Sequence, residues 1–336
     1  MGLREWKWCL LAAALMNCVL FLLPLTWAES GAGRPLPPEE LPVEEHTAPL
    51  PAGEVDGSYT VRVLHDGTVT GMTMAEYLQG VVRAEMPASF EQEALCAQAV
   101  AARTYTLYKM STGGNHGETA DICTDPTCCQ AYRDAEAAVQ SWGADGAKYT
   151  EKVENAVAAT DGMTMTYGGA PILAVFHSSA AGETRRAGEV WSGDLPYLQS
   201  VSSPEDADGT PNYYSRAEIP AEEFRAVFLK AHPEAVFSAD PGTWIRDAVT
   251  EGAHVQTVTV GGITVRGVEM RRLYGLRSAA FDTEVQDGKI VFFVTGYGHG
   301  VGMSQYGANA MAAAGATWQE ILCHYYTGVT IETRGG

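Results

Sequence analysis

"YLQGVVRAEMPASFEQEALCAQAVAARTYTLYKM", residues 77–110, joins two helix-like segments across one proline and sets Glu85 two residues before that proline. Tyr77, Val81 and Val82 fall at helical spacing, and Thr73 with Glu76 fits a capping box that would open the first helix. Pro87 disfavours helical backbone at the residue before it, so this helix has to stop there. Ser89 with Gln92 is a second capping signal, and the Ala-rich stretch that follows predicts a helix over 90–110. Ala94, Ala97 and Ala101 allow another element to approach closely, which makes this a buried central helix with Cys96 packed in it. Arg103 on the same helix needs a partner, because a guanidinium is seldom buried alone.

Outward from this helical pair the pattern changes to strands. "YTVRVLHDGTVTGMT" (59–73) alternates around Asp66-Gly67, which predicts a hairpin feeding the first helix. "MTMTYGGAPILAVFHSS" (163–179) and "HVQTVTVGGITVRGVEM" (254–270) each read as strand, Gly-Gly turn, strand, and "EVQDGKIVFFVTG" (284–296) turns on Asp287-Gly288. Two short helices close the chain, one opening near Ser304 and one at Thr317, where Glu320 completes a capping box before Cys323 and His324. Core packing is the default for Cys323. Helices and strands are largely segregated, so the fold class is α+β, with Ala-rich central helices packed against β-hairpins.

The chain has 336 residues and is 46% hydrophobic, enough for a sizeable core. Its net charge of -19 and the lack of clustered Lys and Arg exclude nucleic acid as a partner. Residues 8–27 form an apolar run of membrane-spanning length, broken only by Asn17 and Pro24. Arg4 and Lys7 precede it and Arg34 is the next basic residue, which places the N-terminus inside and the remainder outside the cytoplasm. A cleaved signal peptide is the alternative, although "TWA" (26–28) is a poor cleavage site. The expected organisation is a transmembrane segment over 1–28, an acidic Pro-rich tether over 29–57 and one globular domain over 58–333.

A lone glutamate in an apolar setting suits a general acid, since desolvation raises a carboxyl pKa. A helix N-terminus just downstream would oppose this, and capping or pairing with Arg83 or Arg103 is the structural alternative. Taken with "EALCAQAVAARTY", "FHSSAAGET", "PYLQSV" and "GYGHGVGMSQYGANAMAAAGATWQEILCHYYTGV", the segment resembles the SpoIID family of sporulation proteins over nearly all of residues 58–333. The resemblance implies an active-site cleft between two lobes. It also implies a peptidoglycan lytic transglycosylase that cuts the β-1,4 bond between N-acetylmuramic acid and N-acetylglucosamine, preferably on strands freed of stem peptides, and leaves 1,6-anhydro ends during endospore engulfment. Glu85 would be its acid/base. Ordinary glycosidases use a second carboxylate, whereas here the sugar's own 6-hydroxyl attacks, so one carboxylate suffices.

By the same resemblance Arg103, Tyr197 and His177 belong to the substrate site, with His299, Ser304, Gln305 and Tyr306 of the glycine-spaced loop. Alternating glycines let backbone approach a ligand, while His299 and Gln305 offer donors to sugar hydroxyls. "HGETADICTDPTCC" gathers His116, Cys123, Cys128 and Cys129, ligand types that zinc prefers. The segment is similar to the zinc loop of some clostridial members but has Cys128 where a His is expected and a displaced His116, the least secure ligand. A disulfide is the competitor outside the cytoplasm, and a zinc ion here would be structural rather than catalytic. Competing functions are a noncatalytic glycan-binding scaffold and, lacking any H-E-x-x-H, a zinc-dependent cell-wall amidase. The implied setting is the cell membrane, single-pass, with the C-terminal domain outside the cytoplasm. The implied partners are glycan strands, a membrane-bound amidase and an integral membrane recruiter.

Overall fold

A computed structural model describes residues 53–333. The apolar run over 8–27 lies outside them, as does most of the tether, and among the described residues no helix is long and apolar enough to cross a membrane. Two apolar cores organise the chain, one built around a helix bundle and one around β-hairpins. This is the expected α+β division.

The first core starts at α1 (Glu54–Ser58), whose backbone amides at Val55 and Asp56 bind the Asp161 carboxylate at 3.1 and 2.8 Å. The tether's last residues are therefore folded rather than spacer. Strands β1 (Thr60–His65) and β2 (Thr68–Thr73) pair across Asp66 and Gly67, whose φ values of 46° and 78° give the two left-handed residues that a tight hairpin needs. Thr73 then caps α2 (Met74–Glu85): its hydroxyl accepts from Glu76 N at 3.2 Å and Glu76 returns a bond to Thr73 N at 2.8 Å. Met86 leaves the helix in extended backbone, as Pro87 requires.

The next helix does not begin at Ser89. A turn closes from Phe90 N to Pro87 O, Ser89 is exposed, and the carbonyl of Glu91 takes the first helical bonds of α3 (Gln92–Ser111). The Glu91 amide is occupied by Asn309 Oδ1 at 2.8 Å, so a distant side chain replaces the expected local cap. Residues 94–107 of α3 are continuously buried, and the alanines let α2 pack directly against it. Strand β3 (Ile122–Cys123) runs parallel to β1, pairing Leu64 with Cys123. Two helices without a motif in the sequence, α4 (Ala135–Trp142) and α5 (Gly146–Ala159), then cover α2 and α3.

Strand β4 (Met163–Tyr167) turns through Gly168-Gly169 into the two-residue β5 (Ala170–Pro171). The chain runs on without strand pairing to β6 (Phe176–His177), then through the short α6 (Ala187–Val190) to β7 (Tyr214–Pro220). The second core begins at α7 (Ala221–Ala231), where Phe224 and Phe228 are fully buried, each worth roughly 1.5–3 kcal/mol of apolar burial. They lie under β8 (Ile245–Glu251), β9 (His254–Val260) and β10 (Ile263–Arg266), with α8 (Gly267–Tyr274), β11 (Phe281–Gln286) and β12 (Lys289–Thr295). The β9–β10 and β11–β12 hairpins turn at the expected glycines. Strand β13 (Met303–Ser304) lies parallel to β6. Helices α9 (Gln305–Ala313) and α10 (Trp318–Tyr325) and strand β14 (Thr330–Thr333) then return the chain to the first core.

Candidate active site

Glu85 is the last residue of α2, and α3 starts only at Gln92. The carboxyl thus sits at the negative end of one helix dipole and away from the positive end of the next. Glu85 is half-buried, and burial pushes its carboxyl above the usual carboxylate range. Two hydrogen bonds pull the other way: Ala131 N donates to Oε1 at 2.8 Å, and Gln305 Nε2 reaches Oε2 at 3.5 Å. Glu85 lines two cavities, one of about 630 Å³ and one of about 340 Å³, and stands where they meet. Among the described residues it is the one acidic side chain in either lining.

The larger cavity borders the first core and the 297–299 loop. Leu173 and Val175 contribute from the first core, His177 from β6, Arg271 from α8, and Tyr297 and His299 from the loop after β12. Gly298 and Gly302 bring the 297–306 loop onto β6. A Cβ on Gly298 would stand 2.6 Å from His177 Cβ, and one on Gly302 would stand 2.1 Å from the Val175 carbonyl oxygen, at φ values of 129° and 70°. Val301 fixes both imidazoles: His177 Nδ1 donates to its carbonyl at 3.2 Å, and its amide donates to His299 Nδ1 at 3.1 Å. Burial holds His177 well below the usual histidine range and His299 down at about 4, so both rings are neutral. The bond to Val301 leaves His177 Nε2 as a buried acceptor with no partner among the described residues.

Residues 126–130 of the 116–131 segment line the larger cavity beside Glu85. His116 Nε2 lies 3.6 Å from Cys128 Sγ and 3.7 Å from Cys129 Sγ, the two sulfurs are 3.8 Å apart, and with Cys123 all four ligand atoms fall within 4.8 Å of one another. Two sulfurs bound tetrahedrally to one zinc ion at about 2.3 Å stand about 3.8 Å apart, so the cluster has the dimensions of such a site. The cysteines are free thiols rather than a disulfide, and His116 takes its place in the set. Parallel pairing of β3 with β1 delivers Cys123, and two residues past Cys129 the chain presents the Ala131 amide to Glu85.

A family model described as stage II sporulation protein matches residues 65–167, the segment that holds Glu85, Ala131 and the four-ligand cluster. Stage II sporulation protein D of Bacillus amyloliquefaciens is 37% identical over 265 residues, covering 79% of this chain and 75% of that protein. The chain belongs to this family. Stage II sporulation protein D of Bacillus subtilis is 36% identical over 79% of this chain and 76% of its own length. An amidase enhancer of Bacillus subtilis is 28% identical over 76% of this chain and 40% of that protein.

Within this family site the sequence-predicted residues divide. Gln305 and Tyr306 line the smaller cavity with Glu85, while His177 and His299 line the larger. Three others lie behind the walls. Arg103 lines neither cavity: it is buried against Asp56, with Nε–Oδ1 at 2.9 Å and Nη2–Oδ2 at 2.5 Å, and donates from Nη1 to Met163 O at 3.0 Å. Its donors are spent on closing α1 over α3. Tyr197 is buried, and its hydroxyl accepts from Leu173 N at 3.2 Å, so it braces the wall from behind. Ser304 is fully buried as the N-cap of α9, accepting from Gly307 N at 3.2 Å and donating to Glu205. His299 Nδ1 is engaged by the Val301 amide at 3.1 Å, so it does not offer that nitrogen as a donor. Cys323 is exposed rather than packed, while Cys96 is buried, its thiol pushed up to about 12 by that burial.

Sequence reasoning missed Ala131, Gln98, Trp191 and Arg133. Ala131 acts through its amide, which no side-chain motif reports. Gln98 is buried on α3 and accepts from Gln305 Nε2 at 3.4 Å, so it orients the amide that reaches Glu85. A glutamine within an alanine run was the available signal. Trp191 packs 5.3 Å from His299 and lines the larger cavity, and Arg133 lines the smaller one.

Proposed function

We propose that this chain is a peptidoglycan lytic transglycosylase in which Glu85 is both acid and base. The carrying observation is a single raised-pKa carboxyl at the junction of two cavities with no second acid in either lining. A protonated Glu85 gives its proton to the glycosidic oxygen, the bond from that oxygen to C1 of N-acetylmuramic acid breaks, and the leaving sugar departs as an alcohol. The 6-hydroxyl of the same muramic acid then bonds to C1, and the carboxylate takes its proton, which closes the 1,6-anhydro ring and restores the acid. A hydrolase needs a second carboxylate to activate water or form the glycosyl intermediate. The Ala131 amide orients Glu85, and Gln305, held by Gln98, stabilises its charged form between the two proton transfers.

His116, Cys123, Cys128 and Cys129 would hold zinc as a structural ion, clamping the loop that carries Ala131. The ion would supply cross-linking rather than a nucleophile, since four protein ligands leave no open position. The 8–27 run would tether the domain outside the cytoplasm, beside an amidase that strips stem peptides and an integral membrane protein that recruits both.

A second reading is supported by the relative named as an amidase enhancer: a noncatalytic glycan-binding module that assists an amidase. Incubating the full chain with amidase-stripped glycan strands and examining products by mass spectrometry separates the two. The transglycosylase reading expects 1,6-anhydro-muramyl ends from the wild type and none from Glu85→Gln. No released product, together with faster stem-peptide release by an added amidase, selects the second reading.

A further inference from the structure

The chain is strongly acidic, and many of its arginines are matched: Arg62 with Asp121, Arg103 with Asp56, Arg186 with Glu189, Arg216 with Glu218. The cations that line the cavities beside Glu85 are not. Arg83 and Arg133 line the smaller cavity, Lys109 and Arg271 the larger, and none has a carboxylate oxygen within 4.0 Å among the described residues. Lys109 and Arg271 are partly spent on neutral acceptors, Asn115 Oδ1 at 3.2 Å and the Arg277 carbonyl at 3.2 Å. Arg83 is nine-tenths buried, and among the described residues its Nε is unpartnered and its Nη2 bonds Gln79 at 3.3 Å, while the Glu154 and Asp134 carboxylates attract it only from beyond ion-pair distance. The exposed Arg133 side chain has no hydrogen-bond or ion-pair partner among the described residues, while its backbone amide is anchored on Gly80 O at 3.0 Å.

Burying a guanidinium with an open donor is costly unless a ligand completes it. Arginine's planar fork matches a carboxylate bidentately. In a protein of net charge -19, the buried Arg83 and the exposed Arg133 bring two guanidinium forks to one cavity of about 340 Å³, a local exception to a field that repels anions. The ligand they are built for is an anion next to the bond that Glu85 addresses.

We propose that Arg83 and Arg133 form a subsite for the free lactyl carboxylate of N-acetylmuramic acid. This rests on the glycan reading above and deepens it. In intact wall the lactyl group is tied up as an amide to the stem peptide. Once the peptide is removed the group ends in a carboxylate, so a paired-arginine cavity reads directly whether a strand has been stripped. Preference for stripped strands is then an electrostatic selection by this chain, without contact to any other protein.

The test uses the full chain carrying Glu85→Gln, so that binding is measured without cleavage. Affinities are compared for stripped strands, stripped strands with the lactyl carboxyl reduced to the alcohol, and peptide-bearing strands. Stripped strands should bind about tenfold or more tighter than reduced ones, the worth of a charge-assisted pair, and added salt should shrink the gap. Adding Arg133→Gln should close most of the gap by weakening stripped strands at least several-fold more than reduced ones, and Arg83→Lys should narrow it with the fold intact. Equal affinity for stripped and reduced strands overturns the proposal, as does an equal loss for both in Arg133→Gln. Tighter binding of peptide-bearing strands also overturns it, because the carboxylate read would then belong to the stem peptide. A wild type that makes no anhydro ends but keeps the preference would sink the transglycosylase reading and leave this subsite standing.

Discussion

Two carboxylates of this chain, the half-buried Glu85 and the buried Glu205, differ in how many donors they already hold. Glu205 is buried and saturated: Ala180 N donates at 2.6 Å, Ser203 Oγ at 2.5 Å, and Ser304 Oγ completes the set. Ser203 in turn meets Tyr325 Oη at 2.7 Å, so one carboxylate ties the start of α9 to α10 and to the segment after β6. Glu85 has a single short bond, one long one from Gln305, and cavity on two sides. The number of donors already committed to each carboxyl marks the difference between them.

This contrast can be broken at either end. Glu85→Gln should lower turnover by roughly 10²–10⁴-fold with little change in melting temperature, since it removes a proton donor and leaves the packing. Arg103→Gln should do the reverse, costing about 3–5 kcal/mol of stability by denaturant unfolding, because Asp56 would be left charged and buried without its cation. Glu205→Gln should destabilise by about 2–4 kcal/mol as donors to the lost carboxylate go unmet. If Glu205→Gln kills activity at unchanged stability, the division is wrong. Removing metal with a chelator should speed amide hydrogen exchange over 116–131 and lower turnover roughly tenfold, by loosening the support of Ala131 rather than by removing a reactant. The smallest effect belongs to Gln305→Leu. Its amide favours the charged form of Glu85, so its loss raises the Glu85 pKa further and moves the alkaline limb of the pH–rate profile upward by less than about one unit.

The helical pair, the hairpins at Asp66-Gly67 and Asp287-Gly288 and the capping boxes at Thr73 and Thr317 were all legible, because each is a local pattern with a local cause. Ser89 misled because the Glu91 amide is satisfied by Asn309, which lies 218 residues away in the chain. The amphipathic helices over 135–159 carry no cap or proline to announce them and passed unread. In the site, Glu85 and the four metal-ligand candidates could be found by residue type. Arg103 and Ser304 could not be sorted from cleft residues, since a buried ion pair and an N-cap use the same side chains that bind sugar. The Asp56 partner that decides Arg103 sits in what composition marked as tether.

The most direct test is cleavage of amidase-stripped glycan strands by the full chain in water enriched in oxygen-18, with products resolved by mass. One carboxyl acting with the substrate's own 6-hydroxyl requires anhydro-muramyl ends that carry no heavy oxygen, and none at all from Glu85→Gln. Reducing ends labelled with oxygen-18, or undiminished cleavage by Glu85→Gln, would contradict it.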